Sequence, residues 1–441
     1  MQRAFDTRVT GPIIDPSAGV PRGGTSQEAT AMTARSLPWN RRRFLGTTIA
    51  GAAAAAVGPR LAGAEALGAN DRVRVGVIGT GGRARHLMRL LKEQPRCRLV
   101  AVSDVYEPRM LEAAEIAGPG AAKHPDYRRL LEDKEIDAVL VGSPDHWHVA
   151  MTREVLAAGK DLYLEKPVSR TLEDGQALLK LAAGTKQVVQ TGTQQRSWEH
   201  FRLGKQIVDS GKLGQITFVH TYWHQRIGTG ALPEVDQTKL DWKAWLGPAP
   251  DRPWAPERFL RWRHFRDYGG GVLTDLLTHW IDVVHWYMGV DTPRTAVTTA
   301  ANYRVKYLEW PDTVTTTLEY PGDFMVTHTG TYCSTIDDGG LEFRGDQATL
   351  KVDRERLAVY SEDSRKGQPW RHTPEPEVFV RSLADGSAAH LANWLECIRS
   401  RKTPTAPLGL GVAAARAGQV ANESILAGSK VRFDGVRVER A

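Results

Sequence analysis

The chain has 441 residues, with 58 Lys and Arg against 51 Asp and Glu, 41% hydrophobic and 25% charged residues. That length predicts two or three domains, and these proportions exclude disordered, collagenous and polytopic membrane classes. Three cysteines, Cys97, Cys333 and Cys397, form no CxxC pair, which excludes a disulfide framework and a thiolate metal site.

The formal charge of +7 is concentrated at the N-terminus, where residues 1–66 hold eight arginines and four acids. The remainder is only +3, so no nucleic-acid partner is predicted. Asn40 to Leu45 read NRRRFL, and an uncharged Ala-rich run from Phe44 to Val57 precedes LAGAEA. This order is that of a twin-arginine signal with cleavage after Ala64 or Ala66. The run is too short to span a bilayer, which takes about 20 apolar residues. Residues 1–66 are therefore expected to be a cleaved signal, with the twin-arginine machinery as partner and a periplasmic or otherwise exported location.

From Arg72 the chain alternates β-rich and helical stretches. RVRVGVI (72–78), RLVAVS (98–103), AVLVGS (138–143), DLYLE (161–165) and QVVQT (187–191) are predicted strands, with helices over 126–131, 146–158 and 172–184. Such alternation predicts a doubly wound parallel sheet over residues 67–196, a Rossmann domain with ligand sites at the carboxyl ends of its strands. After Arg196 the character changes. Strands are predicted at 216–223, 295–305, 313–320, 324–332, 341–345, 348–352 and 357–361, and helices near 390–401 and 410–426. Residues 197–441 should thus form an α/β domain with a largely antiparallel open sheet. Gln225 to Gly271 is a long connection rich in Pro, Gly and Trp, a length commonly associated with function.

The first strand runs directly into GTGGRA, Gly79 to Ala84, which fits G-x-G-x-x-G/A. Gly79, Thr80, Gly81, Gly82 and Arg83 would form the turn that brings backbone and a helix N-terminus to a pyrophosphate. Asp104, 23 residues after Gly81, ends the second strand where an acid can bind ribose hydroxyls. That acid would repel a 2'-phosphate, so NAD is favoured over NADP, although nearby Arg109 keeps NADP open.

SPDHWH (143–148) and YLEKPVS (163–169) follow later strands and become crevice loops, placing Ser143, Pro144, His146, Glu165 and Lys166 beside the cofactor. Lys166 precedes Pro167, and an X-Pro bond can be cis at modest cost. A buried lysine beside a cationic nicotinamide would suit proton exchange. In YGGGVLTDLLTHWIDVVHWYMG (268–289), Asp275 and His279 are four apart and share a predicted helix face, which Asp282 and Trp286 continue. Polar groups on a core-facing stripe require partners or a ligand. His146 with His148, and His220 with His224, are close in sequence, but no third residue completes a metal-ligand spacing. No metal is predicted.

GVIGTGGRA, SPDHWH, EKPVS, GTQQR, GGGxxxDxxxHxxD, LEFRGDQATL and NWLECIRSRKTP together resemble the glucose-fructose oxidoreductase, inositol dehydrogenase and rhizopine catabolism (Gfo/Idh/MocA) family, over about residues 72–424. The resemblance implies a Rossmann domain followed by an α/β domain whose open sheet makes a homo-oligomer. It also implies that Lys166 is the catalytic lysine and that Asp275 and His279 lie beside a carbohydrate substrate. The implied reaction is hydride transfer between a sugar or polyol carbon and NAD, tightly bound. His279, oriented by Asp275, would move the hydroxyl proton while Lys166 hydrogen-bonds the developing alkoxide, or the two would exchange roles. His148, His224, Trp262 and Arg263 are candidate substrate contacts. Competing readings are redox-neutral glycoside cleavage with retained NAD, and a non-catalytic carbohydrate-binding protein.

Overall fold

A computed structural model describes residues 72–228, 230–365, 375–382 and 384–441; the signal expected over 1–66 lies outside them. The first domain runs β1 (Val73–Ile78), α1 (Gly82–Lys92), β2 (Cys97–Ser103), α2 (Glu107–Ala117), β3 (Ala122–His124), α3 (Tyr127–Glu132), β4 (Ala138–Val141), α4 (His148–Ala157), β5 (Asp161–Leu164), α5 (Leu172–Ala183) and β6 (Val189–Thr191). Its six strands are parallel in the order β3-β2-β1-β4-β5-β6. Every residue of β4 and β5 is buried, as expected for strands covered on both faces. Strand order reverses between β1 and β4, and the crevice opens at their carboxyl ends. The edge strand β3 was not among the predicted strands, because Ala-Lys-His at the sheet margin carries no apolar run.

The second domain follows with α6 (Glu199–Asp209), β7 (Ile216–His224), α7 (Trp242–Leu246), α8 (Pro256–Leu260), α9 (Gly271–Asp275), α10 (Leu277–Met288), β8 (Thr295–Ala301), β9 (Thr313–Tyr320), β10 (Phe324–Thr331), β11 (Gly339–Gly345), β12 (Ala348–Asp353), β13 (Arg356–Ser361), β14 (Val378–Arg381), α11 (Gly386–Ser400), α12 (Leu408–Ala427), β15 (Val431–Phe433) and β16 (Val438–Arg440). The ten strands form one mixed sheet in which β7 and β10 pair in parallel and the other neighbours are antiparallel. Period-two alternation sets its faces. Val219, Thr221 and Trp223 of β7 and Val314, Thr316 and Leu318 of β9 are buried on the helix-covered side, while Thr313, Thr315, Thr317 and Met325 face outward.

One strand end differs from expectation. β8 stops at Ala301 rather than continuing to Val305, because the Asp312 carboxylate accepts the backbone N–H groups of Tyr303, Arg304 and Val305 at 2.8–3.1 Å and turns the chain away from the ladder. Helix α11, within the expected 197–441 segment, packs onto the first domain: Leu391, Trp394, Leu395 and Cys397 share a core with β1, β2 and α1.

Helix α9 ends at Asp275 and α10 begins at Leu277, so the predicted stripe is interrupted at Leu276. Its lower half serves another purpose. Asp282 pairs with Arg196, both fully or nearly buried, at 2.9–3.0 Å, and the Arg196 guanidinium lies 5.4 Å from the Trp286 ring centroid. This pair ties the segment after β6 to the central helix of the second domain. Asp282→Asn leaves a buried guanidinium without its charge partner and is expected to lower the unfolding free energy in urea titration by about 3–5 kcal/mol. A loss below about 1 kcal/mol, the range of an exposed pair, would contradict this role.

Candidate active site

The nucleotide cleft is built from backbone. Gly79 has φ +76°, and a Cβ there would lie 2.6 Å from the Ser143 backbone nitrogen, so no side chain fits where the β4 loop crosses. Gly81 caps α1 without any side-chain hydrogen bond, leaving the first-turn N–H groups free for phosphate oxygens. Asp104 stands at the mouth of β2, accepting from Thr80 N at 2.7 Å, Thr80 Oγ1 at 3.0 Å and Tyr106 N at 2.9 Å. Thr80 is thereby a buried support for Asp104 and does not line the cleft, a correction to its expected cofactor contact. Gly79, Gly81, Gly82, Arg83, Asp104, Ser143 and Pro144 do line it, around about 460 Å³. These residues fit a dinucleotide.

The long connection is ordered by aromatic packing and covers this cleft. Trp242 stacks on Trp245 at 4.7 Å, and Trp254, Phe259 and Tyr268 complete the cluster. Asp241 N donates to Val105 O at 3.0 Å and Trp147 Nε1 to Trp245 O at 2.9 Å, which fastens the cluster to the first domain. Trp245, Phe259, Trp262 and Arg263 consequently form the opposite wall. Arg109 lies 4.4 Å from the Phe259 ring centroid, inside the same cleft.

A second cavity of about 700 Å³ adjoins it, sharing Arg83, Ser143, Trp262 and Arg263. Lys166, Asp275 and His279 all line this cavity. The Lys166–Pro167 bond is cis. Lys166 Nζ donates to Asp275 Oδ1 at 2.8 Å and to Asp275 O at 2.7 Å. Arg263 Nε donates to the same Oδ1 at 3.2 Å, and the Tyr332 hydroxyl to Oδ2 at 3.4 Å. Burial alone would raise the Asp275 pKa, but Lys166 and Arg263 hold it well below the usual carboxylate range.

Asp275 does not orient His279, contrary to expectation. Its carboxylate is taken up by the two cations and Tyr332, while His279 Nδ1 is buried with no hydrogen-bond partner among the described residues. The imidazole is positioned instead by Trp223, whose ring lies 5.3 Å away. Burial, followed by the charges of Lys166 and Arg354, keeps the His279 pKa well below 6.5, so the ring is neutral at pH 7.

Three further expectations fail geometrically. His148 is buried, with Nδ1 2.7 Å from Pro167 O and Nε2 3.0 Å from Ser143 O, so it clamps the two crevice loops together and lines neither cavity. His146 sits against Trp245 O at 3.1 Å and lines neither cavity; its neighbour Trp147 lines the nucleotide cleft. His224 lies on the outward face of β7 and contacts Ile336 O at 2.9 Å. Glu165 lines the catalytic cavity, where it accepts from Arg83 Nε at 2.9 Å. Among the described residues, no three His, Cys, Asp or Glu side chains are placed to hold a metal.

Asp145, Tyr332 and Arg354 line the cavity but were not singled out in sequence. For Asp145 the SPDHWH loop was signal enough, whereas Tyr332 and Arg354 come from strand ends with no motif. Burial, opposed by Arg263 and aided by Asp275, pushes the Asp145 carboxyl up to about 8.

Two family models match the chain, "Oxidoreductase family, NAD-binding Rossmann fold" over residues 73–193 and "Oxidoreductase family, C-terminal alpha/beta domain" over residues 205–433. The chain belongs to the Gfo/Idh/MocA family. As a member of that family it is an NAD-binding oxidoreductase. This Gfo/Idh/MocA chain is 27% identical over 379 residues to an uncharacterized oxidoreductase of Synechocystis sp., covering 78% of this chain and 91% of that protein. Inositol 2-dehydrogenase 1 of Saccharopolyspora erythraea is 36% identical over 151 residues, which is 34% of this chain and 44% of its own length. Among solved structures, an oxidoreductase from Thermotoga maritima superposes with TM-score 0.66 at 18% identity, covering 83% of this chain and 100% of that one. Levoglucosan dehydrogenase in complex with NADH and levoglucosan gives 0.65 at 18% identity, covering 82% and 100%. At such identities the two structures share the fold.

The Asp145 carboxyl gives a stability signature. Between about pH 4 and 8 the folded state keeps a proton that the unfolded state has lost, so stability falls as pH rises through that window. Asp145→Asn is expected to flatten this fall, measured as the difference between urea midpoints at pH 5 and pH 8.5. Equal slopes in wild type and variant would show that Asp145 ionises normally.

Proposed function

We propose that this protein is an exported NAD-dependent oxidoreductase acting on a hydroxyl-bearing carbon of a sugar or polyol. The observation that carries the reading is the convergence of Lys166, from the first domain, and His279, from the second, on one cavity that opens into the nucleotide cleft. The names of the inositol and levoglucosan dehydrogenases support the substrate class, and the order of arginines, apolar run and cleavage sequence supports export. NAD supplies the hydride acceptor or donor when bound.

The chain's own residues would manage the proton and the oxygen. Lys166 spends two hydrogen bonds on Asp275, and its third ammonium hydrogen is available to a substrate oxygen. Neutral His279 can accept the hydroxyl proton, and Arg263 helps keep Asp275 ionised so that Lys166 stays in place. The outward, threonine-rich face of the large sheet, with Met325 and Val297 exposed on it, is the surface through which copies would pair.

Lys166→Met should retain nucleotide, detected by mass spectrometry after denaturation, and lose about 10²-fold or more in kcat on the best substrate of a sugar, polyol and glycoside panel. Unchanged kcat would remove Lys166 from the chemistry. Aglycone release without net NADH would replace net oxidation with redox-neutral glycoside cleavage, a reading the covered nucleotide cleft favours because that reaction keeps its cofactor.

A further inference from the structure

Arg354 is a cation in search of an anion. It lies in the turn between β12 and β13 and lines the catalytic cavity, its guanidinium 4.4 Å from the Trp223 ring centroid and 5.9 Å from that of Trp280. The other cations lining the cavity have partners: Lys166 and Arg263 hold Asp275, Arg83 holds Glu165, and Arg261 meets the Tyr307 hydroxyl and Gly228 O. Arg354 makes no ion pair or hydrogen bond among the described residues, and its Nε is buried without a partner. The acids whose charge acts on it are otherwise placed. Asp385 is committed to Ser387 N at 2.8 Å and to His86 at 3.3 Å, and Asp338 exerts only a through-space attraction. Arg83, whose Nη2 is also buried and unpartnered, faces the same region.

We propose that the carbohydrate turned over here is an acidic monosaccharide whose carboxylate is bound by Arg354. This rests on the carbohydrate oxidoreductase reading above and narrows its substrate class. A half-buried guanidinium whose Nε is shut off from water and unpaired carries a desolvation cost, which an arriving carboxylate would offset. The planar fork, with its central carbon 4.4 Å from the Trp223 ring centroid, matches a planar carboxylate in a two-point hydrogen bond. Trp223 contacts both Arg354 and His279, so the carboxylate and the carbon being oxidised belong to one sugar unit. Arg354 is a specificity determinant in this account, since the charge it recognises lies away from the reacting carbon.

The test titrates the full NAD-loaded protein calorimetrically with D-glucuronate, D-galacturonate, their parent hexoses and glucose 6-phosphate. The uronates should bind about tenfold or more tightly than the hexoses, the worth of a charge-assisted hydrogen bond. In Arg354→Gln, with nucleotide content as the folding check, the uronate-to-hexose ratio should fall to about one, and Arg354→Lys should be intermediate. Equal binding of uronate and hexose, undetectable uronate binding, preference for the phosphate, or an unchanged ratio in Arg354→Gln would each overturn the proposal. Failure of the underlying reading shows separately, as protein that releases no nucleotide on denaturation.

Discussion

One buried carboxylate organises this molecule's chemistry. Asp275 ends a short helix in the second domain and draws Lys166 from the crevice loop of the first, Arg263 from the long connection and Tyr332 from the end of β10. Removed from water, the charge is tolerable only with cations against it, and those cations can approach only if three separate segments adopt the positions seen. The pairing contributes geometric definition more than net stability, because desolvation opposes much of the attraction.

That commitment shapes the rest of the site. With Asp275 occupied by two positive groups, His279 has no carboxylate to raise its proton affinity and stays neutral, which is the form a proton acceptor needs. Asp145 has no cation in hydrogen-bond contact among the described residues, and burial, aided by the Asp275 charge, outweighs the more distant pull of Arg263, Lys166 and Arg170 and keeps its proton on at neutral pH. Two carboxyl groups in one cavity are thus driven to opposite protonation states, Asp275 by direct contact with Lys166 and Arg263 and Asp145 by burial that the same charges only partly oppose. The aromatic connection closes the neighbouring cleft from above and supplies Arg263, so covering the nucleotide and charging the site are accomplished by one segment.

Much of this was legible in sequence. Alternating strands and helices, the GTGGRA turn and Asp104 are local signals, and each reports on backbone within a few residues of itself. The same holds for Lys166 before its cis proline. Failures arise where a side chain's fate depends on distant partners. His148 and His146 sit in a recognisable loop, yet carbonyls of Ser143, Pro167 and Trp245 claim their ring nitrogens. Helical spacing put Asp275 and His279 on one face, but the break at Leu276 and the pull of Lys166 separate their roles. Arg354 sits in a charged turn indistinguishable from a solvated one until the sheet carries it into the cavity.

The claim that Lys166 and Asp275 work as one unit is most directly tested by a double-mutant cycle on kcat/KM, using Lys166→Met, Asp275→Asn and the double variant. Coupling is expected to be strong, with the double variant no slower than the worse of the two single variants. Losses that multiply would mean that the two side chains act independently, contradicting the arrangement on which the rest depends.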